Sequence, residues 1–74
     1  MLQEKIESAD VLPPHQERVI TEHNELVEKY NALTDFMKGQ VFITVPANER
    51  ERLRLQHSIM ISYILILKQR INNF

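Results

Sequence analysis

The nine residues Ile59-Met60-Ile61-Ser62-Tyr63-Ile64-Leu65-Ile66-Leu67 constrain this chain most. Eight of them are apolar, and they lie inside a pattern that otherwise reads as helix. A helix that is apolar all round has to be covered all round. The chain is 74 residues long, so it brings one long partner helix of its own, which covers one side. The remaining sides need other chains. The sequence therefore predicts an obligate oligomer whose function lies at surfaces made between subunits.

Other ways of stabilising so small a domain are closed or weak. A chain of this length usually needs a disulfide, a metal or partner chains. It has no cysteine, which excludes disulfides and thiolate metal sites. Its histidines are His15, His23 and His57, and no two have the i, i+4 spacing of a helical zinc pair. No metal and no cofactor are expected. The net charge of −1 gives no electrostatic case for binding duplex DNA or RNA. The apolar run is about half the ~20 residues that span a bilayer, and Lys68 and Arg70 come directly after it. The N-terminus lacks the basic and apolar regions of a secretory signal.

Proline and glycine divide the chain. Leu2, Ile6 and Ala9 at i, i+4 and i+7 predict a short amphipathic helix, too short to be stable unless it docks. Residues 1–12 thus read as a short N-terminal helix and hinge, and Pro13-Pro14 separates it from the second segment. From Pro14 to Lys38, Val19, Leu26 and Leu33 are seven apart. They interleave with His23, Tyr30 and Met37 to form a heptad seam, which Ile20, Val27 and Thr34 widen on one side. Gly39 is a good C-terminal cap, and Lys38 suits the negative end of the helix. Gly39 to Val45 reads as a loop in which Val41-Phe42-Ile43 tucks over the hairpin end. Thr44 is the candidate N-cap of a last helix that starts near Pro46 and runs to about Asn72. There Leu53, Met60, Leu67 and Phe74 repeat every seven residues, as do His57, Ile64 and Ile71. The prediction is an all-α fold in which residues 13–74 form an antiparallel two-helix hairpin. Ile59, Ile61, Tyr63, Leu65 and Ile66 lie off its seam and are assigned to contacts between chains.

No constellation here reads as catalytic. The carboxylates are spread over helix surfaces, the lone Gly39 rules out a glycine-rich phosphate loop, and Ser8, Ser58 and Ser62 have no base arrangement. His23 reads as a packed, hydrogen-bonded seam residue. Tyr30 and Tyr63 read as amphipathic packing groups whose hydroxyls find partners at an interface. Arg50, Arg52 and Arg54 alternate with Glu49, Glu51 and Leu53 and read as a salt-bridged, solvated face. Lys29 and Arg70 read first as surface charge. As cations at the edge of an inter-subunit seam, they are also placed to meet a phosphate.

The order of several short strings then resembles a known family. Pro14-His15-Gln16-Glu17-Arg18-Val19-Ile20 is followed by Glu25-Leu26, Lys29, Leu33 and Phe36. Val45-Pro46 comes after the loop, and Gln69-Arg70-Ile71-Asn72-Asn73-Phe74 closes the chain. Over residues 13–74 this resembles the small hairpin proteins of bacteriophages that act as anti-CBASS cyclic-oligonucleotide sponges. That hairpin family also includes the anti-Thoeris sponges for cyclic ADP-ribose signals. The resemblance implies a compact homo-oligomer, typically a hexamer, working in the cytoplasm of an infected bacterial host. It implies sequestration, without cleavage, of cyclic dinucleotides such as 3′,3′-cyclic GMP–AMP, and in some members of cyclic trinucleotides, in pockets between subunits. Neither DNA nor a membrane is an expected partner. By position, Lys29 looks like the family's phosphate-contacting lysine. Asn31 looks like the polar residue two places later, a threonine in one family pattern. Arg70 looks like the arginine of the trinucleotide site. His15 stands where the family has a base-stacking aromatic, and Arg18, one turn on, supports the same pocket. Two other readings stay open: a sponge for cyclic ADP-ribose isomers, and a coiled-coil-like adaptor that binds a host protein.

Overall fold

The computed structural model describes residues 2, 5–7 and 12–74. Three helices occur in the order α1 (Pro14–Lys38), α2 (Gln40–Thr44) and α3 (Ala47–Asn72). The described residues include no strand. Helices α1 and α3 pack as an antiparallel hairpin 47 Å long and 16 Å across, so the all-helical hairpin is as the heptad spacing predicts.

Both long helices begin in the same way. Pro13 (φ −57°, ψ 149°) and Pro46 (φ −54°, ψ 144°) take the N-cap positions with no side-chain cap. The Pro13 carbonyl accepts the amides of Gln16 and Glu17 at 3.0 and 3.1 Å. The Pro46 carbonyl accepts those of Glu49 and Arg50 at 3.0 and 2.9 Å. Proline costs little there, since its φ is already near helical and it sits ahead of the intrahelical ladder. Thr44 is therefore not the cap of α3. Its hydroxyl turns back and donates to the Val41 carbonyl at 2.6 Å.

The predicted loop is mostly the five-residue helix α2. Gly39 ends α1 with an extended backbone (φ −82°, ψ 167°), a conformation open to any residue, and its amide bonds the Phe36 carbonyl at 3.1 Å. Of the three apolar residues here, Phe42 alone tucks in. Its ring meets Phe36 edge-on with centroids 6.0 Å apart, and the Arg54 guanidinium lies 5.4 Å from its centroid. Val41 and Ile43 point outward, 62% and 71% exposed.

Among the described residues the buried core is Ile20, His23, Val27, Phe42, Ile64 and Leu67. On α3 this is the predicted seam. On α1 the inner stripe is Ile20, His23 and Val27, while Val19, Leu26, Leu33 and Met37 are only half-buried. The two stripes have the same seven-residue repeat, so spacing alone does not choose between them. The N-terminal segment bonds to Asn24 and Asn31, beside Ile20 and Val27.

That segment corrects the expected short helix. Leu2, Lys5, Ile6 and Glu7 carry no helical turn; residues 1, 3–4 and 8–11 of the predicted helix and hinge lie outside the described residues. The Ile6 amide donates to Asn24 Oδ1 at 2.9 Å, and Asn24 Nδ2 donates to the Ile6 carbonyl at 2.9 Å. One step along, the Leu2 amide donates to Asn31 Oδ1 at 3.0 Å and Asn31 Nδ2 to the Leu2 carbonyl. These bonds replace the ladder that a two-turn helix forms only at a loss. The segment runs antiparallel to α1 as a strap, and Leu2 and Ile6 become half-buried.

Candidate ligand face

The strap covers one flank of the hairpin and leaves the other open. Helical spacing places Val19, Leu26 and Leu33 together on the open flank. His15, Glu22 and Lys29, also seven apart, run beside them. From α3 come Ile59, Tyr63 and Ile66, which are 67%, 40% and 53% exposed. The chain exposes 5419 Å², against the ~4800 Å² at which a compact monomer of its mass scales.

Polar contacts fix how the two helices meet here. Across the hairpin, the Tyr63 hydroxyl donates to Glu22 Oε2. This bond raises the Tyr63 pKa above its ordinary 10.0, helped by desolvation and by the Glu22 charge, while the Arg70 charge pulls the other way. Arg70 is thus electrostatically close to Tyr63. The antiparallel register that sets Glu22 against Tyr63 carries Arg70 to the level of His15, seven residues further on each helix.

Of the residues singled out by resemblance, His15, Arg18, Lys29 and Arg70 are exposed. The structure brings His15, Arg18 and Arg70 to the open end of the hairpin. Lys29 lies on the same flank, about 21 Å from His15 along the axis at 1.5 Å per residue. One protomer therefore does not gather all four side chains in a single pocket. Asn31 belongs elsewhere: two residues from Lys29, it faces the strap flank, and its amide oxygen and nitrogen are both taken by Leu2.

The other candidates have structural duties. His23 is fully buried, and its Nδ1 lies 3.0 Å from Asn24 Oδ1. Thr34 donates its hydroxyl hydrogen to the Tyr30 carbonyl at 2.8 Å, so at 2.7 Å it accepts from His57 Nε2. Arg52 pairs with Glu49 at 2.8 Å and Arg54 with Glu51 at 3.4 Å, as a solvated ion-paired face would, but Arg50 departs from it: it is half-buried, and its Nε has no hydrogen-bond partner among the described residues. The described residues hold no group of three side chains placed to bind a metal ion, and no described helix is long and apolar enough to cross a membrane.

The partners missed in the sequence are Glu22 and Asn24. A signal existed for the second: Asn24 and Asn31 are seven apart inside a helix, where asparagine is a poor former and so needs a compensating bond.

Comparison with known proteins agrees with this hairpin as the unit. A protein of Enterobacteria phage T4, described as an uncharacterized 7.5 kDa protein in the denB–rIIB intergenic region, is 42% identical over 60 residues. Those residues are 81% of this chain and 94% of the phage protein. No solved structure matches the chain. The Sequestin family matches residues 13–73, which hold α1, α2 and α3 entire. The chain belongs to the Sequestin family, a name that denotes sequestration, and has a relative in a bacteriophage.

Proposed function

We propose that this protein is a phage immune-evasion sponge that holds cyclic dinucleotide messengers of bacterial CBASS defence, without cleaving them, in pockets between copies of the chain. The observation that carries this reading is the open flank. It combines half-buried apolar residues, which a partner copy would finish covering, with exposed cations at their edge. Phosphates of a cyclic dinucleotide are permanently anionic, so paired cations from two subunits suit its near-twofold shape. Its bases need flat apolar or π surfaces, each stacked base contributing roughly 1–3 kcal/mol.

The separation of Lys29 from the His15, Arg18 and Arg70 end supports two kinds of pocket. In this proposal Lys29 grips dinucleotide phosphates at an interface along α1. Arg70, with His15 and Arg18 from the open end, serves a second pocket that takes cyclic trinucleotides. A hexamer of hairpins supplies both.

The test is isothermal titration with 3′,3′-cyclic GMP–AMP, with oligomer mass measured on the same sample. Tight binding at one ligand per two subunits, with intact ligand recovered after denaturation, is expected. Lys29→Ala should abolish that binding and leave the mass unchanged. No binding of this ligand, of cyclic triadenylate or of cyclic ADP-ribose would overturn the proposal.

A further inference from the structure

We propose that Asn24, Glu28 and Asn31 form a dock for an extended peptide backbone, and that the chain's own N-terminal segment is its occupant, a removable strap that seals His23 from water.

The dock reads backbone. A side-chain amide presents an acceptor oxygen and a donor N–H on one edge, so it can meet the N–H and the C=O of one extended residue together. Asn24 uses both on Ile6, and Asn31 uses both on Leu2. Each pair repeats the two-bond exchange found between facing residues of an antiparallel ladder. The spacings also fit. Seven residues of helix rise about 10.5 Å, a span that the four residue steps from Leu2 to Ile6 can bridge, since four steps reach up to about 13 Å. Glu28 lies between the asparagines and Lys5 between Leu2 and Ile6, and these two pair at 2.7 Å. The dock therefore specifies apolar residues four apart with a cation between them. Sliding the strap by one residue would break the ion pair and turn Leu2 and Ile6 away from the hairpin.

The strap is an addition to the hairpin. The family match begins at residue 13, beyond the strap.

Removing the strap has a specific consequence inside. Asn24 Oδ1 accepts the Ile6 amide at 2.9 Å and lies 3.0 Å from His23 Nδ1. Because that oxygen is an acceptor, Nδ1 is the nitrogen that carries the hydrogen. His23 is 0% exposed, and its Nε2 is buried with no hydrogen-bond partner among the described residues. The strap and the buried ring thus share one atom, and undocking the first opens the second.

The test uses the full chain. Ile6→Pro deletes the amide that Asn24 accepts and alters neither α1 nor His23. Carbethoxylation of each histidine by diethyl pyrocarbonate is followed by peptide mass spectrometry, with exposed His15 and half-buried His57 as internal references. His23 should react at least about tenfold faster in Ile6→Pro than in the wild type, with His15, His57 and helical circular dichroism unchanged, as for a local opening. Asn31→Leu, which frees the Leu2 end alone, should give a smaller rise. Unchanged His23 reactivity in Ile6→Pro would overturn the proposal. So would a loss of helix in that variant, because the strap would then be part of the folding unit and not removable.

Discussion

Tyr30 and His57 stack across the hairpin, their ring centroids 4.3 Å apart and their planes 20° from parallel. The stack and the hydrogen bond from His57 Nε2 to Thr34 together tie the middle of α3 to α1. His57→Phe should keep the stack and lose only the bond, costing about 1 kcal/mol. His57→Ala loses both and should cost about 2–3 kcal/mol. Urea midpoints of the two variants check this, and equal losses would show that the stack contributes nothing.

Leu67 is fully buried and Ile59 is 67% exposed, although both come from one apolar run. Leu67→Ala should cost about 2–5 kcal/mol by leaving a cavity. In a lone hairpin, Ile59→Ala should stay within about 0.5 kcal/mol. If the open flank is covered by a second copy, Ile59→Ala should instead weaken assembly, and the loss should grow as the protein is diluted. Thermal midpoints over a range of concentrations separate the two cases.

The hairpin was legible because its signals are local. Pro14 and Pro46 mark helix starts by backbone chemistry that needs no tertiary context, and the heptads of α3 locate Ile64 and Leu67. The strap was not legible. Leu2 and Ile6 at i, i+4 suit a helix as well as they suit any segment whose every fourth residue meets a neighbour. The choice rests with Asn24 and Asn31, eighteen and twenty-nine positions away. For the ligand face, sequence supplied the cations but not their separation, since the placement of Lys29 and Arg70 depends on the register set by Glu22 and Tyr63.

That register has an alkaline signature. The hydrogen bond to Glu22 is the largest cause of the raised Tyr63 pKa. A raised folded-state value means that the contribution is fully present below the unfolded value of 10.0 and is lost as pH rises through the folded one. Stability should therefore fall above about pH 10, and Tyr63→Phe should remove part of that fall. Denaturant midpoints from about pH 9 to about pH 11 test it. An identical alkaline slope in the variant would place the loss elsewhere.

Acid should loosen the strap. Lys5 lowers the Glu28 pKa below 4.5, first through its hydrogen bond and then through its charge, against an opposing desolvation effect. A depressed folded-state value gives a contribution present above 4.5 that is lost as pH falls through the folded value. Both side chains are largely exposed, so the pair acts on strap docking and hardly on the hairpin. The protection factor of the Ile6 amide should drop as pH falls below 4.5, while amides in the middle of α3 hold theirs. Glu28→Gln should show the lower Ile6 protection already at neutral pH, with no further acid-dependent drop. Added salt should mimic the variant in the wild type by screening the pair. An Ile6 protection factor indifferent to pH, to salt and to Glu28→Gln would mean that the asparagines alone hold the strap.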